Sequence, residues 1–581
     1  MTSSIHWDRL LPSSNPEYEH YRFASRRSVV FGSRGIVACT QPAATQAGLD
    51  ILSKGGNAVD AAIACAAALN VTEPCNNGIG GDVFALYWDP QKRKVLALNG
   101  SGRSPAALSL TKARELGIKQ REIPLGNINA VTVPGAAAAW TDAHREWGSG
   151  KVSMSDILSP AIQLAENGFP VAELTSAMWQ KSQKLLLKAS ANGGELLMPD
   201  KTAPRPGQVF RNPTLARTFR TLAEEGRDGF YKGRIAQGIV DVISANGGVM
   251  TLDDLARHES TFIEPIGYTY GEKYRLHECP PNGQGLTALI ALGILDAMHE
   301  AGKIDLSSVE HNSTEYLHAI LEAMRYAFAD TRAYLGDPEH SRIPVQELLD
   351  PAYLRSRAAM FDPRRAKADV KKGSPPNASH TVYLSVSDSF GGACSFIQSN
   401  YAGFGQGAVP AGCGFSLQNR GSGFVLDESH PNCLAGNKRP YHTIMPSMLT
   451  VDDELMLSFG VMGGFAQPQC TVQVMLNMLH HGLHPQSALD APRAVISPSM
   501  PDATDNQEDS GNFNGQIFLE DGISADTVKG LRKKGHDVQV VSGANRGMFG
   551  RGQIVQKLPG KELIWAAGSD PRGDGHAAPA L

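Results

Sequence analysis

The chain has 581 residues, of which 42% are hydrophobic and 19% are charged, a composition typical of a soluble globular protein with ample material for a core. Its 54 basic and 58 acidic residues give a net charge of −4. Because no long run of like charge occurs, the sequence predicts neither a nucleic-acid partner nor a membrane-surface partner.

Two further features of the sequence concern the cellular compartment of the protein. Residues 1–20 contain no apolar segment of the kind that forms a secretory signal, and the most apolar long stretch, AVDAAIACAAALNV at 58–71, is too short to span a bilayer. We therefore expect a cytoplasmic protein. The eight cysteines form no C-x-x-C pair and no other metal-ligand spacing, which favours a reducing compartment, leaves disulfides open, and predicts no metal or other cofactor.

The first half of the chain alternates between helical and strand patterns. Apolar spacing predicts a helix over 41–54 that is ended by two glycines, after which Asn57 can cap a second, alanine-rich helix. The stretches NGIGGDVFALYWD and KVLALNGSG predict two strands that meet glycine-rich turns. Helical patterns dominate from about 150 to 260 and again near 313–334.

The pattern changes in the second half. Residues 364–379, RRAKADVKKGSPPNAS, are basic and rich in Pro, Ser and Gly, and they predict an exposed linker. Strands are predicted for VYLSVSD, ACSFIQSN and MLTVDDELMLSFG, followed by a helix over 467–481. Strands and helices in separate blocks predict an α+β layered fold.

The junction at the His380–Thr381 bond has two interpretations. The linker pattern stops there, and the β-branched and aromatic run Thr-Val-Tyr-Leu-Ser-Val begins at Thr381. The junction is either an ordinary loop that enters a buried strand or a processing site that makes Thr381 a new N-terminus. The local sequence leaves both interpretations open.

Three glycine-rich or polar clusters carry groups that chemistry could use. GSGRSP at 100–105 holds an arginine in a turn, RPYHTIMPSM at 439–448 offers imidazole and hydroxyl groups, and FGVMGG at 459–464 ends a strand with two glycines. The N–H groups of such glycines can point at an anion. Each cluster alone is more simply a turn or a solvated loop. Together with a nucleophile, they would supply what an amide-cleaving enzyme needs.

Ten stretches in one order resemble the γ-glutamyltranspeptidase family of N-terminal-nucleophile hydrolases over nearly the whole chain. They are GGNAVDAA (55–62), VTEP (71–74), GIGGD (78–82), VPG (133–135), GGVMTLDDLA (247–256), EAMRYAFADTRAYLGDP (322–338), HTVYLSV (380–386), NKRPYHTIMPS (437–447), VMGG (461–464) and GSDPRGDGHA (568–577). The resemblance implies an α+β fold of the four-layer αββα sandwich type, formed by autocleavage of one precursor.

The resemblance also implies where the chain is cut. Cleavage between His380 and Thr381 would give a large subunit, residues 1–380, and a small subunit, residues 381–581, which together form one globular heterodimer. Thr381 would be the nucleophile. A threonine hydroxyl is weakly nucleophilic, and a free α-amino group on the same residue can act as its base.

Other site residues follow by position from the resemblance. Gly463 and Gly464 match the oxyanion-hole pair, and Ser399 matches a hydroxyl that bonds the nucleophile. Arg103 matches the arginine that binds the substrate α-carboxylate, a bidentate task suited to a guanidinium.

Five positions depart from the common pattern of the family. His442 and Thr443 stand where a serine pair contacts the substrate carboxylate. Tyr401 stands where an Asn is common and Arg420 where a Gln is common. Gly423 replaces an Asp that holds the substrate α-amino group. The stretches LQNRG and RPYHTI instead resemble the branch that contains transpeptidase-like proteins, amidohydrolases and cephalosporin acylases.

The function implied by the resemblance is cleavage of γ-glutamyl amides, such as glutathione or its conjugates, through a γ-glutamyl-enzyme with transfer to water or an amine. Because Arg420 would repel a substrate ammonium, a second hypothesis is an acylase or amidohydrolase for dicarboxylic monoamides without the α-amino group, glutaryl- or oxamate-like. A third hypothesis is a catalytically idle binding protein. The presence of Thr381, Arg103 and the two glycines argues against it.

Overall fold

The computed structural model describes residues 27–367, 380–497 and 516–581. The linker predicted over 364–379 lies outside the described residues from residue 368 onwards, as do the N-terminal residues on which the expectation of no secretory signal rests. Within the described part of the chain, no helix is both long and apolar enough to cross a membrane.

Sixteen α-helices occur in the described residues. In chain order they are α1 Pro42–Ser53, α2 Ala58–Thr72, α3 Leu110–Glu115, α4 Ala136–Trp147, α5 Met154–Asn167, α6 Glu173–Ala189, α7 Pro213–Tyr231 (kinked at Gly226), α8 Gly233–Ala245, α9 Leu252–Ala256, α10 Gly285–Glu300, α11 Thr314–Tyr334, α12 Val345–Leu348, α13 Pro351–Ala359, α14 Ala466–Leu479, α15 Pro485–Asp490 and α16 Ala525–Lys533.

Nineteen strands accompany them in the same residues. They are β1 Val30–Gly32, β2 Gly35–Cys39, β3 Asp82–Asp89, β4 Lys94–Gly100, β5 Phe169–Pro170, β6 Val209–Phe210, β7 Thr261–Ile263, β8 Ile266–Tyr270, β9 Tyr274–Glu278, β10 His380–Asp388, β11 Ala393–Tyr401, β12 Ser447–Val451, β13 Glu454–Met462, β14 Ala494–Ser497, β15 Gln516–Glu520, β16 Val538–Val541, β17 Arg551–Lys557, β18 Trp565–Ser569 and β19 His576–Pro579.

Two seven-stranded antiparallel sheets form the centre of the fold. The first has the order β1-β18-β17-β13-β12-β9-β8, and the second has the order β19-β2-β10-β11-β3-β4-β7. In the second sheet β10 pairs with β2 and β11 with β3, and in the first sheet β12 pairs with β9. Each sheet therefore contains strands from both sides of the His380–Thr381 bond, hydrogen-bonded to one another.

Three buried apolar clusters define the layers. One cluster joins α1, α2 and α4 to the second sheet, and another joins α10, α11 and α14 to the first sheet. The third lies between the two sheets and contains Tyr383 and Met448. The order helix, sheet, sheet, helix is the four-layer αββα sandwich, so the predicted fold class is confirmed.

Strand β10 is buried on both faces from Thr381 to Asp388, which explains why apolar side chains point to both faces of the strand. Val382 and Leu384 belong to the cluster beneath the helices, whereas Tyr383 belongs to the cluster between the sheets. Ser385, on the same face as Tyr383, lies 2.7 Å from Ser458 Oγ of β13 in the first sheet. Because successive side chains alternate, Thr381 also lies on the face between the sheets.

The local predictions are largely confirmed. The Asn57 side chain accepts hydrogen bonds from the N–H groups of Val59 and Asp60 and so caps α2, whose residues are all buried. The predicted strands correspond to β3, β4 and β10–β13, and α14 ends at Leu479, two residues earlier than predicted. Gly482, with φ 60°, follows in a left-handed conformation that the helix cannot continue through. All eight cysteines are free thiols.

Candidate active site

Thr381 is fully buried at the start of β10, and its hydroxyl meets the neighbouring strand. Its Oγ1 donates a hydrogen bond to Ser399 Oγ at 3.0 Å. Ser399 also stands opposite Asp82 of β3. Three polar side chains on adjacent strands therefore lie side by side in the space between the two sheets.

The strand pairing is irregular at the bond predicted to be cut. His380 pairs with Tyr401 and Thr381 pairs with Ser399, so Asn400 is an extra residue on β11. Tyr401 has φ 76°, a conformation that a bulky residue adopts only under strain. Both polar side-chain atoms of Asn400 are buried without a hydrogen-bond partner among the described residues. Bulges of this kind occur preferentially next to active sites, where they redirect a side chain.

Arg420 links Ser399, the partner of the nucleophile, to Thr443. Its Nη1 donates to Thr443 Oγ1 at 2.8 Å and its Nη2 to Ser399 Oγ at 3.4 Å, while the guanidinium lies 4.2 Å from the ring centre of Tyr401. The side chain is completely buried. Burial lowers the pKa of Arg420 to about 10, so it carries a positive charge at neutral pH, one hydroxyl away from Thr381.

Asp82 and His442 form a second buried pair beside this cation. His442 Nδ1 accepts from the N–H of Ile444 at 3.3 Å, so the proton lies on Nε2, which donates to Asp82 Oδ2 at 3.0 Å. Burial lowers the pKa of His442 well below its usual value. Burial also raises the pKa of Asp82 to about 7, although the charge of Arg420 opposes that rise. Both ring nitrogens of His442 thus contact protein atoms, and its predicted contact with substrate stays a prediction.

Gly463 and Gly464 form the turn between β13 and α14. Their φ angles are 145° and 57°, which favour glycine. The first helical N–H groups of α14 follow at once, and a helix N-terminus attracts negative charge. Gln284 ties this turn to the RPYHT segment, because its Nε2 donates to Gly464 O at 2.8 Å and also to Thr443 O. The predicted oxyanion pair therefore has a fixed position relative to Thr443.

Arg103 lies in a different ion pair. Its Nη2 donates to both carboxylate oxygens of Glu339, at 2.8 and 2.9 Å. Glu339 also lies 3.5 Å from Nη1 of Arg439. The carboxylate role that the resemblance gives to Arg103 stays a prediction, and a substrate carboxylate at Nη2 would compete with Glu339.

A pocket lies beside Thr443 at the surface of this cluster. Its walls combine two tyrosines and a phenylalanine with one acidic and one basic side chain, and the full set is Glu122, Arg332, Tyr401, Ser422, Gly423, Tyr441, Thr443 and Phe465. Two of these residues, Tyr401 and Thr443, were predicted as substrate contacts. Phe465 directly follows the predicted oxyanion turn, so the pocket borders that turn. Its volume of about 10 Å³ holds about one water.

Several residues of the site were missed from the sequence. Asp82 lies within GIGGD and Arg332 within EAMRYAFADTRAYLGDP, two stretches that carry the family resemblance without identifying a role for either residue. Gln284 and Glu122 lie in stretches that gave no signal. Their positions depend on contacts between segments far apart in the chain, which a pattern along the sequence does not contain.

One group of side chains in the described residues brings three possible metal ligands together. His318, Glu322 and His536 place such atoms within 4.8 Å of one another. However, His318 Nδ1 and His536 Nε2 are hydrogen-bonded at 2.8 Å, and Glu322 pairs with Arg325 at 3.0 Å. A guanidinium beside the carboxylate opposes cation binding, so we interpret the group as a hydrogen-bonded network.

Comparison with known proteins identifies the family. Residues 44–580 match the γ-glutamyltranspeptidase family. The chain belongs to the γ-glutamyltranspeptidase family. It is 36% identical to the glutathione hydrolase-like YwrD proenzyme of Bacillus subtilis over 94% of this chain and 99% of that one. It is 33% identical to the oxamate amidohydrolase proenzyme of Klebsiella pneumoniae over 94% and 98%.

Comparison with a solved structure supports the same fold. The crystal structure of a cephalosporin acylase from Bacillus halodurans shares 39% identity with this chain at a TM-score of 0.85, covering 97% of this chain and 98% of that one. The names of these relatives are hydrolase, amidohydrolase and acylase names. The chain is therefore an enzyme of this N-terminal-nucleophile class, a family whose members are proenzymes that act on small amides.

Proposed function

We propose that the chain is an autoprocessed N-terminal-threonine amidase. Thr381 Oγ1 attacks the carbonyl carbon of His380, the C–N bond breaks as the threonine nitrogen takes up the hydroxyl proton, and an ester forms. That step frees the α-amino group of Thr381, and water then hydrolyses the ester to give back the Thr381 hydroxyl and leave a carboxylate on residue 380. Residues 1–380 and 381–581 stay together as a heterodimer, because strands of the two parts pair with each other in both central sheets.

The mature site then acts on an external amide. The α-amino group of Thr381 takes the hydroxyl proton, and Oγ1 attacks the donor carbonyl. The resulting oxyanion is stabilised by the N–H groups at Gly463 and Gly464. The amine product leaves with a proton, and water or a second amine takes the acyl group from the threonine ester. Arg420 stabilises negative charge near Oγ1 through Ser399.

The preferred donors are acyl amides of dicarboxylic acids that lack an α-amino group, such as glutaryl or oxamate-like amides. One observation carries this preference, namely the buried cation of Arg420, which lies 3.4 Å from the hydroxyl that accepts from the nucleophile. A donor ammonium near it would be repelled, whereas a carboxylate would be attracted. The amidohydrolase and acylase names among the relatives support the same preference.

A second candidate donor is a γ-glutamyl amide such as glutathione or a glutathione conjugate. The family match and the relatives named glutathione hydrolase favour it. In this chain the nearby Asp82 could offer a carboxylate, but it already accepts hydrogen bonds from His442 and from the N–H of Gly102. The stretch at 417–424 supplies no acid.

The test compares matched chromogenic donors. Purified enzyme is assayed with glutaryl and γ-glutamyl p-nitroanilides, with Thr381→Ala as the inactive control and with electrophoresis to follow autocleavage. We expect two fragments and a kcat/KM ratio that favours the glutaryl donor. A strong preference for γ-glutamyl would contradict the donor assignment and leave the amidase assignment standing, whereas an uncut, inactive wild type would contradict both and favour an idle family member.

A further inference from the structure

A second arginine lies in the pocket beside Thr443. Arg332, on α11, has a side chain that is 12% exposed, and its guanidinium lies 5.1 Å from the ring centre of Tyr441 and 5.9 Å from that of Phe465. These rings hold the cation over the wall of the pocket. Arg332 stands outside the set of residues for which the family resemblance implies a role.

The charge of Arg332 is only weakly compensated. Within the described residues its one ion pair is with Glu122, and the closest nitrogen and oxygen atoms are 3.9 Å apart, too far for a hydrogen bond. Glu122 also lines the pocket, and burial raises the pKa of its carboxyl. A guanidinium presents a planar fork that suits a carboxylate, so Arg332 offers that fork with little competition.

The contrast with Arg103 is informative. Arg103 already contacts both oxygens of Glu339 at hydrogen-bonding distance, and it is not among the residues that line the pocket. Arg420 does approach the site, but its two terminal nitrogens donate to Thr443 and Ser399. Of these three arginines, Arg332 lines the pocket, and the closest oxygen of its ion-pair partner is 3.9 Å from its guanidinium.

We propose that Arg332 binds the carboxylate at the far end of the acyl donor, and that Glu122 is the side chain this carboxylate displaces. The inference rests on the proposed function, because it takes the pocket beside Thr443 as the acyl-binding side of an amidase. Because the pocket holds about one water, the acyl chain enters only as Glu122 moves aside. The donor class is then amides of dicarboxylic acids whose methylene chain packs on Tyr441 and Phe465. Arg332 is thus a specificity-determining residue, and the carboxylate role predicted for Arg103 is the rival assignment.

Binding of glutarate tests the proposal without turnover. Calorimetric titrations of the mature protein with glutarate and with pentanoate, which has the same carbon chain and one carboxylate fewer, are made for the wild type and for Arg332→Gln. The glutarate Kd should rise roughly ten- to hundredfold in Arg332→Gln. Arg332→Lys should recover only part of the loss, because an ammonium is a point charge. Arg342→Gln, which removes a surface ion pair with Glu347 whose arginine side chain is 85% exposed, is the matched control.

Kinetics with two anilides separate this proposal from the proposed function. Arg332→Gln should lower kcat/KM for glutaryl p-nitroanilide and leave that for pentanoyl p-nitroanilide within about twofold, while autocleavage persists. Glu122→Gln should tighten glutarate binding several-fold, since a competing carboxylate is removed. The proposal is overturned if Arg332→Gln affects both donors equally, if Arg103→Gln causes the larger loss of glutarate binding, or if the wild type does not distinguish glutarate from pentanoate. Failure of autocleavage or of all turnover would instead count against the amidase function.

Discussion

Thr381 Oγ1 donates to Ser399 Oγ at 3.0 Å, directly across the pair of strands β10 and β11. Ser399 Oγ also accepts from the N–H of Tyr401 at 2.8 Å, and that contact bridges the bulge at Asn400. The orientation of the nucleophile therefore depends on the irregular end of β11. A regular strand in this place would change which residue stands opposite Thr381.

Autocleavage should depend on the hydroxyl of Thr381. We expect Thr381→Ala to remain one uncut chain and Thr381→Ser to be cut between residues 380 and 381, because serine keeps the hydroxyl. Denaturing electrophoresis and N-terminal sequencing of the small fragment check this. The fragments of the wild type should elute together on gel filtration. Cleavage of the alanine variant at the same bond would contradict the nucleophile assignment.

Ser399 should act by positioning the nucleophile. Ser399→Ala removes the acceptor of the Thr381 hydroxyl and one contact of Arg420, so we expect autocleavage to slow by at least about tenfold, the rate equivalent of roughly 1.4 kcal/mol. Ser399→Thr keeps the hydroxyl and should restore most of the rate. A time course of precursor loss measures both. Equal rates for alanine and threonine variants would count against this role.

Arg420 should set the preference between donors. Arg420→Gln removes the cation, and we expect the ratio of kcat/KM for γ-glutamyl over glutaryl p-nitroanilide to rise at least about tenfold, since a charged contact contributes roughly 1.5–3 kcal/mol. Arg420→Lys keeps the charge and should keep the preference. Gly423→Asp is a poorer test, because a Cβ there would lie 2.8 Å from the carbonyl oxygen of Tyr441. An unchanged ratio in Arg420→Gln would exclude the cation as the determinant.

The turn at Gly463 should be sensitive to a single added methyl group. A Cβ at Gly463 would lie 3.0 Å from the Cα of Gly550, and its φ of 145° disfavours other residues. We expect Gly463→Ala to lower kcat by roughly 100-fold or more, the loss typical of a displaced oxyanion donor. Gly560→Ala is a matched control, because its φ is 154° on an exposed loop. Similar kcat losses in both variants would point to general backbone strain.

Titration of Asp82 should make stability depend on pH. Burial raises the pKa of Asp82 from 3.8 to about 7, so the folded protein keeps this proton at pH values where the unfolded chain has lost it. The contribution of Asp82 to the free energy of unfolding is thus full below about pH 4 and lost as pH rises towards 7, at up to roughly 1.4 kcal/mol per pH unit.

The measurement compares Tm for wild type and Asp82→Asn at pH 5.0 and 7.5, at one scan rate because large proteins often unfold irreversibly. In the variant, the side chain at position 82 carries no charge at either pH. From pH 5.0 to 7.5 the wild type should lose more Tm than the variant does. Parallel changes in the two proteins would mean that Asp82 does not titrate in this range.

The sequence by itself determined part of the helices and strands and the family to which this chain belongs. Periodicity identifies a helix or strand because the pattern of buried side chains follows the local repeat of the backbone, and α1, α2 and β10–β13 were predicted in this way. Thr381, Ser399 and the two glycines were predicted from ordered motifs. The structure brings Thr381, Ser399, Arg420 and Thr443 into one cluster.

Only the tertiary structure decided how charge is distributed around that cluster. Asp82 lies beside Ser399 because β3 pairs with β11, and Arg332 reaches the pocket because α11 packs against the segment that contains Tyr441. The pairing of Arg103 with Glu339 likewise joins residues more than 200 positions apart. Burial and distance fix the strength of such interactions, and both are properties of packing between distant segments that a linear pattern does not record.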